Sequence, residues 1–247
     1  MTFLVDVGNS RIKWASVVGA ALADCGQQAY QSRRLAETLD TAWAAFECPD
    51  RVVVANVGGA EVAQRLSAWV GQRWECEVEF TQAQATQCGV VSAYLAPQAL
   101  GADRWAALIA THHRHHKCAC VVDCGTAITI DAIAADGEHL GGLITPGLGL
   151  MRQALLRRAP GIAGDLRGEV SLLARSTADG VAAGTLYAAV AVIDRVVSDV
   201  EAELGERVLC VLCGGDAETV ASLLARETIH EPALVLEGLA IIASAGR

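Results

Sequence analysis

The feature that most restricts the fold is a strand that ends on a charge, and it occurs twice. In Phe3-Leu-Val-Asp-Val-Gly-Asn-Ser-Arg-Ile-Lys-Trp-Ala-Ser-Val17, an apolar run meets Asp6, turns through Gly8-Asn9-Ser10 and returns as alternating polar and apolar residues. That pattern predicts a β-hairpin with a carboxylate at its bend. Cys120-Val-Val-Asp-Cys-Gly-Thr-Ala-Ile-Thr-Ile-Asp-Ala-Ile133 repeats the plan with Asp123, Gly125 and a hydroxyl residue, Thr126. A carboxylate closing a buried strand needs water, a donor or a metal to compensate it, and a turn rich in N–H and hydroxyl donors suits phosphate oxygens. Two such units imply two related half-domains facing one another, with a polyphosphate in the cleft between their bends.

The chain's 247 residues suffice for two domains. With 53% hydrophobic and 19% charged residues it is neither disordered nor a coiled coil. A net charge of −9 leaves no basic excess to replace phosphate counterions, so nucleic acid is not an expected partner. Asp6 and Arg11 fall where the apolar core of an export leader would run, and a cytoplasmic location is the expectation. The apolar runs 180–193 and 139–151 are too short or too glycine-interrupted for a membrane span and read as buried elements, so no membrane partner is expected. The nine scattered cysteines read as reduced, mostly buried thiols. Cys210 and Cys213 have zinc or redox spacing, but they lie in one apolar strand whose alternate side chains face opposite ways, and no second pair accompanies them.

In chain order, a third short strand follows the first hairpin, then a helix-forming stretch from Ser32 to Phe46 with Ser32 as a candidate cap and Pro49 as a stop. Arg51 to Asn56 is a buried strand, Gly58-Gly59 a loop, and a helix runs on through Trp69; Glu77 to Phe80 is another strand. A loop-prone stretch carrying Tyr94 leads into a helix from Ala102 to Ala110, with Asp103 and Arg104 in its first turn. An acid there also complements the helix dipole. His112, His115 and His116 have the spacing of a metal-binding helix face, although no acid or Cys completes it and a cationic helix C-terminus accounts for them equally. They mark the boundary between halves 1–115 and 116–247. Residues 141–149 read as a glycine-rich turn without the third glycine of a dinucleotide fingerprint, and the chain contains no P-loop. Ser176 is a candidate cap for a long small-residue helix ending near Glu203. Val208 to Cys213 is a buried strand opening into Gly214-Gly215-Asp216, and Glu237-Gly238-Leu239 begins a final apolar helix.

The paired Asp-x-Gly bends resemble the phosphate-binding motifs of the acetate kinase, sugar kinase, Hsp70 and actin superfamily. The resemblance implies an α/β fold of two ribonuclease H-like half-domains facing a nucleotide cleft. Gly101-Ala102-Asp103-Arg104-Trp105 before a helix is similar to a distinctive motif of the type III pantothenate kinases, which makes that family the nearest match, over residues 3 to about 240.

That resemblance implies ATP-dependent phosphorylation of pantothenate to 4′-phosphopantothenate, the first step of coenzyme A biosynthesis. It casts Asp103 as the base that takes the proton from the pantothenate hydroxyl. Gly101, Ala102, Asp103 and Arg104, with Tyr94 and Thr177, would hold the substrate. Asp6, Val7, Gly8, Asn9, Ser10, Arg11, Ile12 and Lys13, together with Thr126, would hold ATP. Asp6 would act on Mg²⁺ through water, and Asp123 would hold a monovalent cation, K⁺ or NH₄⁺. Gly214-Gly215-Asp216 matches the superfamily's adenosine-side turn, and Asp131 has no assigned role. A homodimer is implied, and the Ala/Gly-rich face from Ala182 to Ala191 suits either that interface or packing on the sheet. Two other readings stand beside this one. A nucleotide-binding regulator of the Bvg accessory factor type would keep the fold without turnover. Another kinase or phosphatase of the superfamily would lack the Gly-Ala-Asp-Arg-Trp run.

Overall fold

The computed structural model describes residues 1–19, 21–159, 161–162 and 168–246. All six residues of β1 (Thr2–Val7) are buried, which only a central strand covered on both faces allows. β2 (Arg11–Val18) returns antiparallel to it, with Asp6 opposite Lys13, and β3 (Ala21–Ala29) pairs antiparallel with β2. After α1 (Leu35–Ala42), β4 (Arg51–Asn56) lies parallel to β1. α2 (Ala60–Trp74) then leads to β5 (Val78–Phe80), parallel to β4. The ribbon β6 (Thr86–Gln87) and β7 (Val90–Val91) precedes α3 (Ala102–His115).

The second sheet repeats the first. It is built from β8 (Ala119–Cys124), β9 (Ala127–Ile133) and β10 (His139–Pro146), followed by α4 (Leu148–Arg158) and α5 (Thr177–Leu204). β11 (Leu209–Cys213), α6 (Ala217–Ala221), β12 (Ile229–His230) and α7 (Leu234–Ala245) complete the chain. Strand order is β3-β2-β1-β4-β5 in one sheet and β10-β9-β8-β11-β12 in the other. Two ribonuclease H-like α/β halves are therefore present, as the repeated hairpin implied.

Each half has its own core. In the first, Phe3, Val5 and Val7 meet Trp43, Trp69 and Trp74 beneath α1 and α2. Phe3 sits 5.1 Å from Trp43 and 5.3 Å from Trp74 in edge-on packing, the arrangement aromatic quadrupoles favour. The opposite face of that sheet carries α3 and α7. In the second half, Cys120, Val122, Cys124, Ile128 and Ile130 pack on Leu186, Val190 and Ile193 of α5.

The chain divides into two compact units, one of Met1–His116, Asp136–His139 and Ala233–Arg247, the other of Lys117–Ala135 and Leu140–Pro232. α7 packs with the first unit. Gly238 makes that packing possible: a Cβ there would fall onto the backbone carbonyl of Ala106 in α3. Arg114 Nη2 bonds Glu237 Oε2 at 2.5 Å between the same helices.

Several local expectations change. Ser32 begins a short 3₁₀ turn instead of capping a helix, and neither that turn nor α1 has a side-chain cap. β3 spans nine residues and is not short. The glycine-rich stretch from 141 is a strand as far as Pro146, and only then turns into α4. An edge position tolerates those glycines because one side of the strand makes no ladder. That strand is also not buried throughout, since Leu143 and Ile144 are exposed. The Ser176 cap is present, its hydroxyl accepting from Asp179 N at 3.1 Å. Cys210 faces the α5 core and Cys213 does not, as three-residue spacing on a strand requires. None of the nine cysteines is in a disulfide.

Candidate active site

The two bends close alike. Gly8 N donates to the Arg11 carbonyl at 3.0 Å, leaving Asn9 and Ser10 exposed at the tip. Gly125 N donates to the Ala127 carbonyl at 3.1 Å, with Thr126 exposed. Asp6 pairs with Lys13, seven residues on, and Asp123 with Thr129, six residues on, so the second bend is tighter by a residue.

Alternation along the strands fixes where each carboxylate points. Phe3, Val5 and Val7 face the α1/α2 core, so Leu4 and Asp6 take the opposite face, where α3 lies. Cys120, Val122 and Cys124 face the α5 core, so Asp123 takes the face away from α5. Asp131, opposite Val121, lies on the same face as Asp123 and is 2% exposed. Asp6 is 8% exposed, whereas Asp123 is half-buried.

In both bends the carbonyls are held from behind. The Tyr30 hydroxyl donates to the Gly8 carbonyl at 2.7 Å and Tyr30 N to the Ser10 carbonyl at 3.2 Å. At the second bend, Gly147 N donates to the Thr126 carbonyl at 3.0 Å and Asp216 N to the Cys124 carbonyl at 2.9 Å. A side chain at Gly147 would fall onto the Gly125 carbonyl, and one at Gly214 onto the Asp123 carboxylate. The glycine-rich run and the Gly-Gly-Asp turn thus both converge on Asp-x-Gly-Thr, a grouping that pairing and packing create.

α3 starts at Ala102 with Gly101 as its cap residue, which sets Asp103 partly exposed in the first turn. Asp103 Oδ1 accepts from Arg104 N at 2.7 Å. The open side of Gly101 faces that carboxylate and the Val57 side chain, while Val57 N donates to the Val7 carbonyl at 2.9 Å. A short run of contacts thus leads from Asp103 to the residue after Asp6, all within the first unit. Arg104 is 8% exposed, and its Nη1 donates to the Tyr94 hydroxyl at 3.0 Å. Tyr94 stacks in turn on His139, with ring centres 5.9 Å apart and planes at 21°. Trp105 Nε1 donates to Gln87 Oε1 at 2.7 Å, fixing the ribbon that leads to Tyr94.

Thr177 is the exposed first residue of α5, in the second unit. His112, whose imidazole burial and then His116 hold below its usual range, packs against Gly89 and Gly137. Among the described residues no group of three or more His, Cys, Asp or Glu is arranged to hold a metal ion. Sequence reasoning missed two residues here, Tyr30 and His139. Nothing local marks either one: Tyr30 reaches the bend through the β2–β3 pairing, and His139 reaches Tyr94 from the start of β10.

Comparison with known proteins fits this arrangement. The family model for type III pantothenate kinase matches residues 2–199. A type III pantothenate kinase of Nitrosococcus oceani is 45% identical, with 98% of this chain and 94% of that protein covered. Among solved structures, a Campylobacter jejuni protein assigned to the Baf family of transcriptional activators aligns with a TM-score of 0.63 at 20% identity, covering 99% and 98% of the two chains. A Sinorhizobium meliloti protein assigned as a 2-dehydro-3-deoxygalactonokinase aligns with a TM-score of 0.62 at 15% identity, covering 99% of each. At those identities the two structures speak for the fold alone.

Proposed function

The chain belongs to the type III pantothenate kinase family, and from that premise we propose how its residues divide the work of phosphorylating pantothenate with ATP. Phosphoryl transfer asks a protein to position two substrates, neutralise charge on the moving group and provide a route for the nucleophile's proton. The observation that carries the assignment is the run of contacts from Asp103 through Gly101 and Val57 to the bend at Asp6. It brings a partly exposed carboxylate into the same unit, and onto the same sheet face, as one phosphate turn.

Asp103 is the base for the primary alcohol of pantothenate. Gly101, Ala102, Arg104, Tyr94 and Thr177 hold that substrate, with the Tyr94 hydroxyl orienting the Arg104 guanidinium. Gly8 to Lys13 and Thr126 hold the ATP phosphates. The donor set fits hard cations, because Asp6 and Asp123 each offer oxygen ligands at a strand end. Asp6 would hold Mg²⁺ through water, and Asp123 a K⁺ or NH₄⁺ ion. When bound, these ions supply neutralisation of the triphosphate that bare carboxylates would repel.

A homodimer in the cytoplasm completes the reading. α5 leaves Gly184, Tyr187, Ala188, Ala191 and Val192 exposed as one stripe, while Ala182, Ala189 and Val190 are buried. The 28-residue α5 is long and apolar enough to span a membrane, but half of its apolar window is buried in the fold, as for a core helix. A regulator without turnover is not favoured, because it has no need of the assembled Asp103, Arg104 and Tyr94. The test is to incubate purified protein with ATP, Mg²⁺ and pantothenate, with and without K⁺. Formation of phosphopantothenate that needs both cations is expected, and no product under any of these conditions would sink the reading.

A further inference from the structure

Tyr30 takes no part in the roles just assigned, yet its side chain is in direct contact with the first bend. Its hydroxyl and its backbone amide bond two carbonyls of that bend, those of Gly8 and Ser10. No peptide among the described residues is cis. In a planar trans peptide the N–H points opposite to the C=O, so fixing these carbonyls toward Tyr30 turns the N–H groups of Asn9 and Arg11 away from it. Asn9 stands at the exposed tip, and Arg11, the first residue of β2, is exposed as well. The neighbouring loop leaves room for this: a Cβ on Gly58 would sit 2.5 Å from the Tyr30 hydroxyl oxygen.

We propose that Tyr30 is a positioning residue for the nucleotide, its hydroxyl and amide aiming the Asn9 and Arg11 N–H groups at the ATP phosphates. The inference rests on reading the first bend as a phosphate turn. Burial and then the nearby Asp6 charge raise the Tyr30 phenol above its usual range, so the hydroxyl stays a donor at neutral pH.

The experiment measures ATP binding directly by calorimetry, beside the KM values for ATP and pantothenate, in wild type and Tyr30→Phe. Loss of one such hydrogen bond is expected to weaken ATP by about 2- to 10-fold, with the pantothenate KM unchanged. Gly58→Ala, which displaces the hydroxyl by another route, is expected to weaken ATP similarly. Combined with Tyr30→Phe it should add less than the sum of the two single effects, because both act on one contact. ATP affinity unchanged in Tyr30→Phe, or both KM values rising together, overturns the proposal. Calorimetry keeps this apart from the catalytic reading: a wild type that binds ATP without phosphorylating pantothenate defeats that reading alone.

Discussion

At the scale of single residues, the site depends on groups held by neighbours that the sequence does not place beside them. Asp103 is read as a base whose position comes from the α3 cap. Replacing it with Asn keeps the size and removes the proton acceptor. Turnover should fall by about 10²- to 10⁴-fold, while ATP binding measured by calorimetry stays near wild type. A variant that keeps its turnover would remove Asp103 from the mechanism. His139 is buried behind Tyr94, which accepts a hydrogen bond from Arg104. Aromatic pairs contribute about 0.5–1.5 kcal/mol, so His139→Leu should raise the pantothenate KM by about 2- to 10-fold. His139→Phe keeps a stacking ring and should restore most of the loss; equal KM values in the two variants would argue against the stack.

Among the elements, α7 shows how a terminal helix is recruited to a distant core. Gly238 lets its backbone touch α3 at Ala106, and the Arg114–Glu237 pair spans the same two helices. Gly238→Val should therefore destabilise by about 1–3 kcal/mol through overpacking, read as a lower urea midpoint. Gly184 in α5 has nothing within 4 Å of a Cβ, so Gly184→Ala should be neutral or mildly stabilising by about 0.5–1 kcal/mol. A Gly238→Val variant as stable as the wild type would argue against the close approach of α7 to α3.

For the molecule as a whole, two predictions concern buried thiols and the exposed stripe. Burial raises the thiols of Cys120 and Cys124 to about 12 and that of Cys210 to about 11. In the unfolded chain they ionise near their ordinary value of about 8.5. The unfolded state therefore loses these protons first, and stability present below that pH should decline steadily as pH rises toward 11. Urea midpoints at pH 8 and pH 10 should differ, and Cys120→Ala with Cys210→Ala should reduce the difference. If α5 pairs two copies through its exposed stripe, Ala188→Glu should shift the protein to monomer in light scattering while the far-UV circular dichroism stays that of the folded chain. An unchanged mass would move the interface elsewhere. Much of this was legible in advance, because strand patterning and a buried carboxylate before a glycine turn are local physics repeated in both halves. The Asp103 helix start was equally local. Tyr30, His139 and the return of α7 were not, since each depends on pairing or packing between residues far apart in sequence. The chain alone set two α/β halves with an acidic bend in each. Only the folded structure decided what stands behind those bends, because the direction of a peptide group or the plane of a ring is fixed by its neighbours in space.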